Sequence, residues 1–485
     1  MQARKVLLLE FNEINWMVVD RLLEQRGASA FPNFVRLRRE GAWAAPVAQE
    51  VSPHLDPWIT WVSVHTGVPR EVHGATVLEQ DGATINARRI WDYAVEAGRS
   101  VGIFGSIGAY PPRPVPGFVV PGPFAPGNET FPAFLEPVQA LNRRYTQVHN
   151  KTGEEGGLVD MARQGLELFG LGLRPKTCAQ AAWQLARERT KPHSKWKRVS
   201  LQPLVNFDFF SQLYRRYRPE FATWHTNHAA HYMHHYWRAW DDSQFLTKSS
   251  PEEKERYGEA VEYGYRVCDE LLGRFLELID DDTVMVLASS MGQKPFVTER
   301  YKSGKVVVRL KHTETFLRRI GAEGVTEIVP TMIPQVNVRV PDPERRERCK
   351  MLVTQVERIV GGKVEPAINF AEAADILTLT PRGLTEVPDQ VTVRLPTPEG
   401  HVQEVPLEEV FACDTPTPKQ GMHDPRGLLV FFGRGIKPGL HLPDTTNLDI
   451  APTLLELMGV PVPQIMTGRV LREAWESRAA ATAAA

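Results

Sequence analysis

The stretch KVLLLEFNEINW, residues 5–16, begins with the apolar run Val6 to Leu9 and then turns polar. A short, unbroken apolar run is typical of a strand that is buried on both faces of a parallel sheet. The polar residues directly after it indicate that the end of this strand opens into a site. The next residues, WMVVDRLLEQ (16–25), carry apolar side chains at helical spacing. The stretch therefore predicts strand–helix organisation from the start of the chain.

Further strand and helix patterns follow along the chain. Residues 31–43, FPNFVRLRREGAW, place Pro-Asn at a helix start and Gly41 at its end. Residues 251–279 form a long amphipathic helical pattern, and DTVMVLASSMGQ (282–293) is another buried strand that ends in small polar residues. We therefore predict an α/β fold with a mostly parallel central sheet and helices on both faces.

Changes in composition divide the chain into core and inserted segments. Residues 111–130 are rich in Pro and Gly and predict an irregular surface excursion. Alternating stretches such as KVVVRL and QVTVRL surround one clear helix at 343–360 and predict a separate α+β insertion. The predicted segments are a first core part at 1–110, an inserted helical and irregular cap at 111–200, a second core part at 201–294, the α+β insertion at 295–417, a last core part at 418–475 and a disordered tail at 476–485.

Composition restricts the classes of partner. Hydrophobic residues make up 42% of the 485 residues and charged residues 24%, which is an ordinary globular profile. The 57 basic and 58 acidic residues leave a formal net charge of -1, so charge favours neither nucleic acid nor an anionic membrane as a partner. No apolar stretch reaches the roughly 20 residues of a membrane span, and Val6 to Leu9 is too short for a signal peptide.

The cysteines bear on the compartment. They are far apart and match no CxxC or other metal spacing, so they are typical of reduced thiols in a cytosolic protein. The four are Cys178, Cys268, Cys349 and Cys413. We predict a cytoplasmic location.

Residues 225–237, HTNHAAHYMHHYW, contain five of the chain's fourteen histidines within eleven positions. Histidine is a common zinc ligand, so the segment raises the question of a metal site. The alternative is structural, because a histidine on an amphipathic helix is often hydrogen-bonded to backbone. The residues of this segment alone do not decide between the two interpretations.

The C-terminal stretch DIAPTLLELMGVPVP (449–463), followed by TGRVL (467–471), resembles a signature of the alkaline phosphatase superfamily, especially its type I phosphodiesterase and nucleotide pyrophosphatase branch. Other stretches resemble that family's motifs in the same order. They are the first strand with Trp16, FPNFVRLRREGA (31–42), TGVPREVHGA (66–75), the histidine segment, the strand into SSMGQ (289–293) and GMHDPRGLLVFFGRGIKPG (421–439). The resemblance implies an alkaline phosphatase-like fold with inserted cap regions.

The resemblance also implies a metal centre. Family members hold two divalent metals, usually zinc, and attack a phosphoester with a Thr or Ser that bridges them. Carboxylate ligands offset the repulsion between the two cations. In an ungapped comparison the family's first-strand Asp falls on Asn12, and the Asp and His of its SDHG motif fall on Ser290 and Met291. His423 in GMHDP matches the family's last metal histidine.

The remaining ligand candidates come from the histidine segment and the first strand. The family carries Asp and His one helical turn apart, and this i, i+4 spacing fits His231 with His235, Asn227 with His231, or Ala230 with His234. The choice stays open. The predicted metal ligands are Glu10, with Glu13 as its alternative, Asn12, His231, His235 and His423, and the predicted ligand-binding residues are Asn227 and Ser290.

The nucleophile position is equally open. It corresponds to the stretch SPHLDPWITWVSVHTG (52–67), where simple counting reaches Pro57. A shift of one to three residues brings in Asp56 or Thr60. These two residues are the predicted catalytic residues.

Two functions follow from the resemblance and its departures. The first is a phosphodiesterase- or phosphatase-like hydrolase with a remodelled centre, in which one divalent ion, zinc first, acts on a small anionic substrate. The second is a catalytically degenerate member that binds a ligand or partner and holds no metal, or that runs a different transfer reaction on the same scaffold. Asn12, Ser290 and Met291 favour the second, whereas His423 and the dense histidines favour the first. We adopt the hydrolase as the prediction, with neither nucleic acid nor membrane as a partner.

Overall fold

The computed structural model describes residues 4–52, 54–76, 78, 80–147, 168–329, 334–373, 375–386, 391–413 and 418–475. The predicted tail at 476–485 and part of the predicted cap, 148–167, lie outside these residues. The chain divides into two compact units. The first comprises the described parts of Met1–Met233, Ser250–Lys294 and His423–Ala485, and the second those of His234–Ser249 and Pro295–Met422.

The strands follow the runs of apolar and β-branched residues. In chain order they are β1 (Lys5–Phe11), β2 (Ala42–Ala44), β3 (Val101–Phe104), β4 (Gly117–Val120), β5 (Phe221–Thr226), β6 (Thr283–Ala288), β7 (Gly292–Pro295), β8 (Val308–Leu310), β9 (Glu327–Val329), β10 (Val336–Arg339), β11 (Glu357–Val360), β12 (Lys363–Pro366), β13 (Ile368–Ala373), β14 (Ile376–Pro381), β15 (Thr392–Pro396), β16 (Val402–Pro406), β17 (Phe411–Cys413), β18 (Gly421–Asp424) and β19 (Leu429–Phe432).

The helices begin and end largely at Pro, Gly or polar residues. In chain order they are α1 (Trp16–Arg26), α2 (Pro32–Glu40), α3 (Pro57–Thr66), α4 (Arg70–His73), α5 (Ile90–Glu96), α6 (Glu136–Gln147), α7 (Pro175–Thr190), α8 (Leu201–Tyr217), α9 (His228–Trp240), α10 (Pro251–Tyr257), α11 (Ala260–Leu276), α12 (Thr313–Arg319), α13 (Pro343–Thr354), α14 (Leu407–Val410) and α15 (Ile450–Leu457).

The first unit is built on a seven-stranded sheet in the order β2-β19-β6-β1-β5-β3-β4. Strand β1 lies at its centre and pairs in parallel with β5 and β6, so Glu10 stands opposite His225 on one side and Ala288 on the other. Strand β19 runs antiparallel to both β2 and β6. The predicted α/β fold with a mostly parallel central sheet is therefore confirmed.

Alternate residues of the central strands pack against helices on opposite faces of the sheet. Val6 and Leu8 of β1 belong to one core with residues of α3, α5 and α15. On the other face, Trp224 of β5 lies 5.1 Å, ring centre to ring centre, from Phe275 of α11. Because both faces are covered, β1 is apolar from Val6 to Leu9, and Glu10 is the first polar residue after this run.

The second unit has its own core and contains two four-stranded antiparallel sheets, ordered β13-β14-β10-β9 and β12-β11-β15-β16. Val338 and Leu377 from the first sheet, Val393 from the second and Val353 of α13 are all buried in that core. This unit therefore combines antiparallel strands with helices.

Candidate functional site

The parallel strands of the first unit end at a common edge of the sheet, where three polar residues follow them. Asn12 follows β1, Asn227 follows β5 and Ser290 stands two residues beyond β6. The Asn12 side chain donates a hydrogen bond to Asn227 Oδ1 at 2.7 Å, and its own Oδ1 accepts one from Trp61 Nε1 at 2.8 Å. This edge is where open α/β sheets bind their ligands.

Glu13 is the acidic residue that turns toward this edge. Its φ angle is 61°, in the left-handed region that non-glycine residues rarely adopt. The side chain is buried, and its carboxylate accepts hydrogen bonds from Asn12 Nδ2 at 3.0 Å and from Gln293 Nε2. Backbone strain of this kind is concentrated at functional sites, where the surrounding structure holds it in place.

His423 on β18 faces Glu13 with one ring nitrogen. Its Nδ1 donates a hydrogen bond to the Leu55 carbonyl oxygen at 2.7 Å, and its Nε2 lies 3.7 Å from Glu13 Oε1. A backbone contact on one ring nitrogen is the usual way in which a metal-binding imidazole is oriented. Glu13 and His423 are therefore close enough to share one metal ion.

The two predicted catalytic residues lie at different depths of helix α3. Asp56 is the N-cap residue but makes no capping hydrogen bond, and its carboxylate lies 3.4 Å from His423 Nδ1 with about a fifth of the side chain exposed. Thr60 is fully buried, and its hydroxyl donates to Ser290 Oγ at 2.8 Å. The structure thus brings Asp56 together with His423, and Thr60 together with Ser290.

Glu10, one of the predicted metal ligands, belongs to a separate cluster. The cluster consists of Glu10, His65, Ser106 and His225, with contacts of 2.9 Å from His65 Nε2, 3.0 Å from Ser106 Oγ and 3.2 Å from His225 Nδ1 to the Glu10 carboxylate. Burial alone would raise the pKa of Glu10, but the charges and hydrogen bonds of His65 and His225 lower it to about 2. We name it the Glu10 cluster.

The histidines around helix α9 do not form one group. His225 belongs to the Glu10 cluster, and His228 contacts the Gly264 carbonyl oxygen at 3.1 Å while burial lowers its pKa to about 4. His231 and His235 are partly buried and four residues apart on the helix. Their role as metal ligands stays a prediction.

Three features of the site were not predicted as such. The sequence offered Glu13 only as an alternative to Glu10, because two acidic residues flank Asn12 and the strand pattern does not say which one turns toward the edge. Gln293, which bonds both Glu13 and the Ala230 carbonyl oxygen, stands directly after SSMG. Trp61 lies five residues after Asp56. The available signal was that each of the three residues stands within five positions after a strand or an N-cap.

Among the described residues, no helix has the length and apolar character needed to cross a membrane. No curated protein matches the chain closely enough to count as a relative. A family model described as type I phosphodiesterase / nucleotide pyrophosphatase does match residues 18–339, about two thirds of the chain. The chain therefore belongs to the type I phosphodiesterase / nucleotide pyrophosphatase family of the alkaline phosphatase superfamily.

Proposed function

We propose that the protein hydrolyses a small anionic phosphoester at the edge of the first unit's sheet where the parallel strands end, which we call the strand-end site. One divalent cation, with zinc as the first candidate, is held there by Glu13 and His423. Family membership supports a phosphoester hydrolase, and the family is typically dependent on divalent metals. The observation that carries the proposal is the His423 ring, which a backbone carbonyl fixes through Nδ1 so that Nε2 faces the buried Glu13 carboxylate.

The donor set fits one ion better than two. Two neighbouring cations need several carboxylates, but Asn12 and Ser290 stand where the family has aspartates. The Asn12 oxygen is taken by Trp61, its amide group donates to Glu13, and the Ser290 hydroxyl is bonded to Thr60. Met291, where the family has a histidine, is fully buried. A glutamate with histidines is, by contrast, a common ligand set for a single zinc ion.

Helix α9 can supply a third ligand. Asn227, directly before the helix, bonds Asn12, and the Ala230 carbonyl oxygen accepts from the Gln293 amide that also bonds Glu13. One helical turn beyond Asn227 stands His231. This residue and the predicted His235 belong in the test.

A bound cation would stabilise the charge that develops on a phosphoester oxygen. Asp56 lies beside His423, and its partly exposed carboxylate makes no capping hydrogen bond to helix α3. We therefore assign Asp56 as the general base that accepts a proton from the attacking water. The Thr60 hydroxyl is enclosed and points to Ser290, which makes it the weaker of the two predicted catalytic residues.

Metal analysis and turnover of the purified protein test the proposal. We expect about one zinc per chain and hydrolysis of a generic aryl phosphodiester or phosphomonoester. His423→Ala and Glu13→Gln should lose both, whereas His193→Ala, at an exposed histidine of the same unit, should lose neither. Single alanine variants of His231 and His235 should identify the third ligand by loss of zinc.

The catalytic assignment has a separate test. Asp56→Asn should lower the turnover number about 100-fold or more, in the usual range for loss of a general base. Thr60→Val should keep most of the turnover, since it conserves shape and removes only the bond to Ser290. The reverse result would restore a hydroxyl nucleophile at Thr60 and contradict the role of Asp56.

A degenerate, ligand-binding member is the second candidate function. Asn12, Ser290 and Met291 favour it, because each lacks the charge or imidazole found at the matching family position. Absence of zinc, manganese and iron after gentle purification, with no turnover but with measurable binding of an anionic ligand, would establish this candidate instead of the hydrolase.

A further inference from the structure

A group of basic side chains lies within the second unit, around the antiparallel pair formed by Lys305 and Lys419. The two residues exchange backbone hydrogen bonds of 2.9 and 2.8 Å in an isolated antiparallel bridge, which places them side by side. Arg300, Arg358 and Arg382 are the other cations that act on Lys305. We call these five residues the Lys305 cluster.

The Glu365 carboxylate lies within this cluster, and two of its arginines bind it. Glu365 on β12 stands opposite Arg358 on β11 and accepts two hydrogen bonds from its guanidinium, at 2.9 and 2.6 Å. Arg300 binds the same carboxylate at 2.7 and 2.9 Å. Arg358 is further fixed by the Gly383 carbonyl oxygen at 2.8 Å and is almost fully buried. Arg358 and Arg300 therefore share one carboxylate within the cluster.

Lys305 is a partly buried member of the cluster. Its stem packs on Gly383 so closely that a Cβ there would lie 2.3 Å from Lys305 Cε. No carboxylate of the described residues lies within ion-pair distance of its amine. Burial, then Lys419 and the three arginines, lower the pKa of Lys305 to about 8. A half-buried amine without an acidic partner destabilises the fold unless something else offsets its charge.

We propose that the Lys305 cluster is an anion-binding site of the second unit, and that its ligand carries a phosphate or pyrophosphate group. Arginine pairs well with the oxygens of such groups, and lysine adds a point charge beside them. The Glu365 pairing holds Arg358 and Arg300 in place before the ligand arrives, so little side-chain entropy is lost on binding. The inference does not depend on hydrolysis at the strand-end site.

Thermal unfolding of the full chain in inorganic pyrophosphate, without added divalent cations, tests the site. We expect wild-type protein to gain several degrees in Tm, because a ligand that binds only the folded state stabilises it by mass action. Lys305→Met should lose this gain while its Tm without ligand equals or exceeds that of wild type, since it removes a repelled charge. Lys311→Met, at an exposed lysine of the same unit, should behave as wild type.

Two further variants separate this site from the proposed hydrolytic site. The pyrophosphate gain should persist in Glu13→Gln and His423→Ala, even if these variants show that the hydrolase proposal is wrong. Loss of the gain in these variants, with retention in Lys305→Met, would place the anion elsewhere and overturn the inference.

Chemical labelling gives a second readout. The aldehyde of pyridoxal 5′-phosphate forms an imine with a neutral lysine amine and releases water, and borohydride then adds hydride to the imine carbon to give a stable secondary amine. A lysine of lowered pKa beside phosphate-binding arginines should react first. We expect mass spectrometry to find the label on Lys305 in preference to Lys311, with protection by pyrophosphate. Equal labelling of both lysines, or no protection, would overturn the inference.

Discussion

Two glutamates stand three residues apart where β1 ends, and they differ in almost every physical respect. Glu10 lies inside the Glu10 cluster, with three hydrogen-bonding partners and no exposure. Glu13 has a left-handed backbone, amide donors from Asn12 and Gln293, and His423 at 3.7 Å. The partners of Glu10 enclose its carboxylate and give it a structural role, whereas Glu13 is held in left-handed backbone beside an oriented imidazole, and we propose it as a metal ligand.

Glu10 and Glu13 also differ in the electrostatics of their partners. His65 and His225 more than offset the cost of burying Glu10, so that its pKa falls to about 2. The carboxylate is therefore ionised at neutral pH in the folded chain and contributes to stability there. The Glu13 carboxylate accepts hydrogen bonds from the neutral amide groups of Asn12 and Gln293, and the His423 ring lies 3.7 Å away. Removal of charge should therefore damage the first position much more than the second.

Glu10→Gln should give the largest loss of stability. The fall in the Glu10 pKa from 4.5 to about 2 corresponds to about 3 kcal/mol of unfolding free energy at pH 7. Urea unfolding of the variant should show a loss of about this size. Glu24→Gln, at an exposed glutamate, should stay within about 0.5 kcal/mol of wild type. Equal effects of the two substitutions would contradict a structural role for the Glu10 charge.

The same contribution should depend on pH with a defined sign. Because the pKa of Glu10 is lower in the folded chain than in the unfolded chain, its stabilisation is complete above about pH 4.5 and is lost as the pH falls toward 2. The stability difference between wild type and Glu10→Gln should thus narrow as the pH falls from about 4.5 toward 2. A difference that widens on acidification would reverse the assigned sign.

Asn12→Asp should have the next largest effect. The substitution turns an amide that donates to Glu13 at 3.0 Å into a second carboxylate at that distance. Asn227 can rotate its own amide to donate, but Glu13 cannot, so we expect a loss of about 2 kcal/mol from the repelled, unpaired charge. Added zinc should reverse the loss, since paired carboxylates are what a second cation needs. Asn128→Asp is the exposed control, and a zinc-independent loss would argue against a cation at this edge.

The sequence predicted the fold better than the site. The apolar run at 6–9 and the strand-to-polar transitions near 12 and 290 sufficed to predict the parallel sheet and the edge at which polar residues meet, because strand burial has a local signature. Which glutamate faces that edge depends on the positive φ of Glu13 and on partners hundreds of residues away, such as His423. Thr60 illustrates the same limit: helix α3 is buried all round, so no periodicity shows that its hydroxyl is enclosed.

Trp61→Phe should have a smaller effect that links the two glutamates. The indole donates to Asn12 at 2.8 Å, and its ring lies 5.7 Å from the His65 ring and 5.5 Å from the His225 ring. Phenylalanine keeps most of the ring packing but leaves the buried Asn12 oxygen unpaired, which costs about 1–2 kcal/mol. Trp183→Phe, at an exposed tryptophan, is the control. If zinc affinity also falls, Trp61 positions Asn12 and Glu13; if only stability falls, the indole is structural.

Glu13→Gln should change stability least, by less than about 1 kcal/mol in the absence of metal. The variant tests whether Glu13 is a zinc ligand. The substitution weakens the bonds from Asn12 and Gln293 but also removes a buried charge, and the two changes oppose each other. With zinc at about 100 times its dissociation constant, wild type should gain about 2.7 kcal/mol of unfolding free energy and the variant almost none. Because the fold of the variant survives, an unchanged zinc response would assign the cation to other ligands and leave the left-handed turn at Glu13 as a purely structural feature.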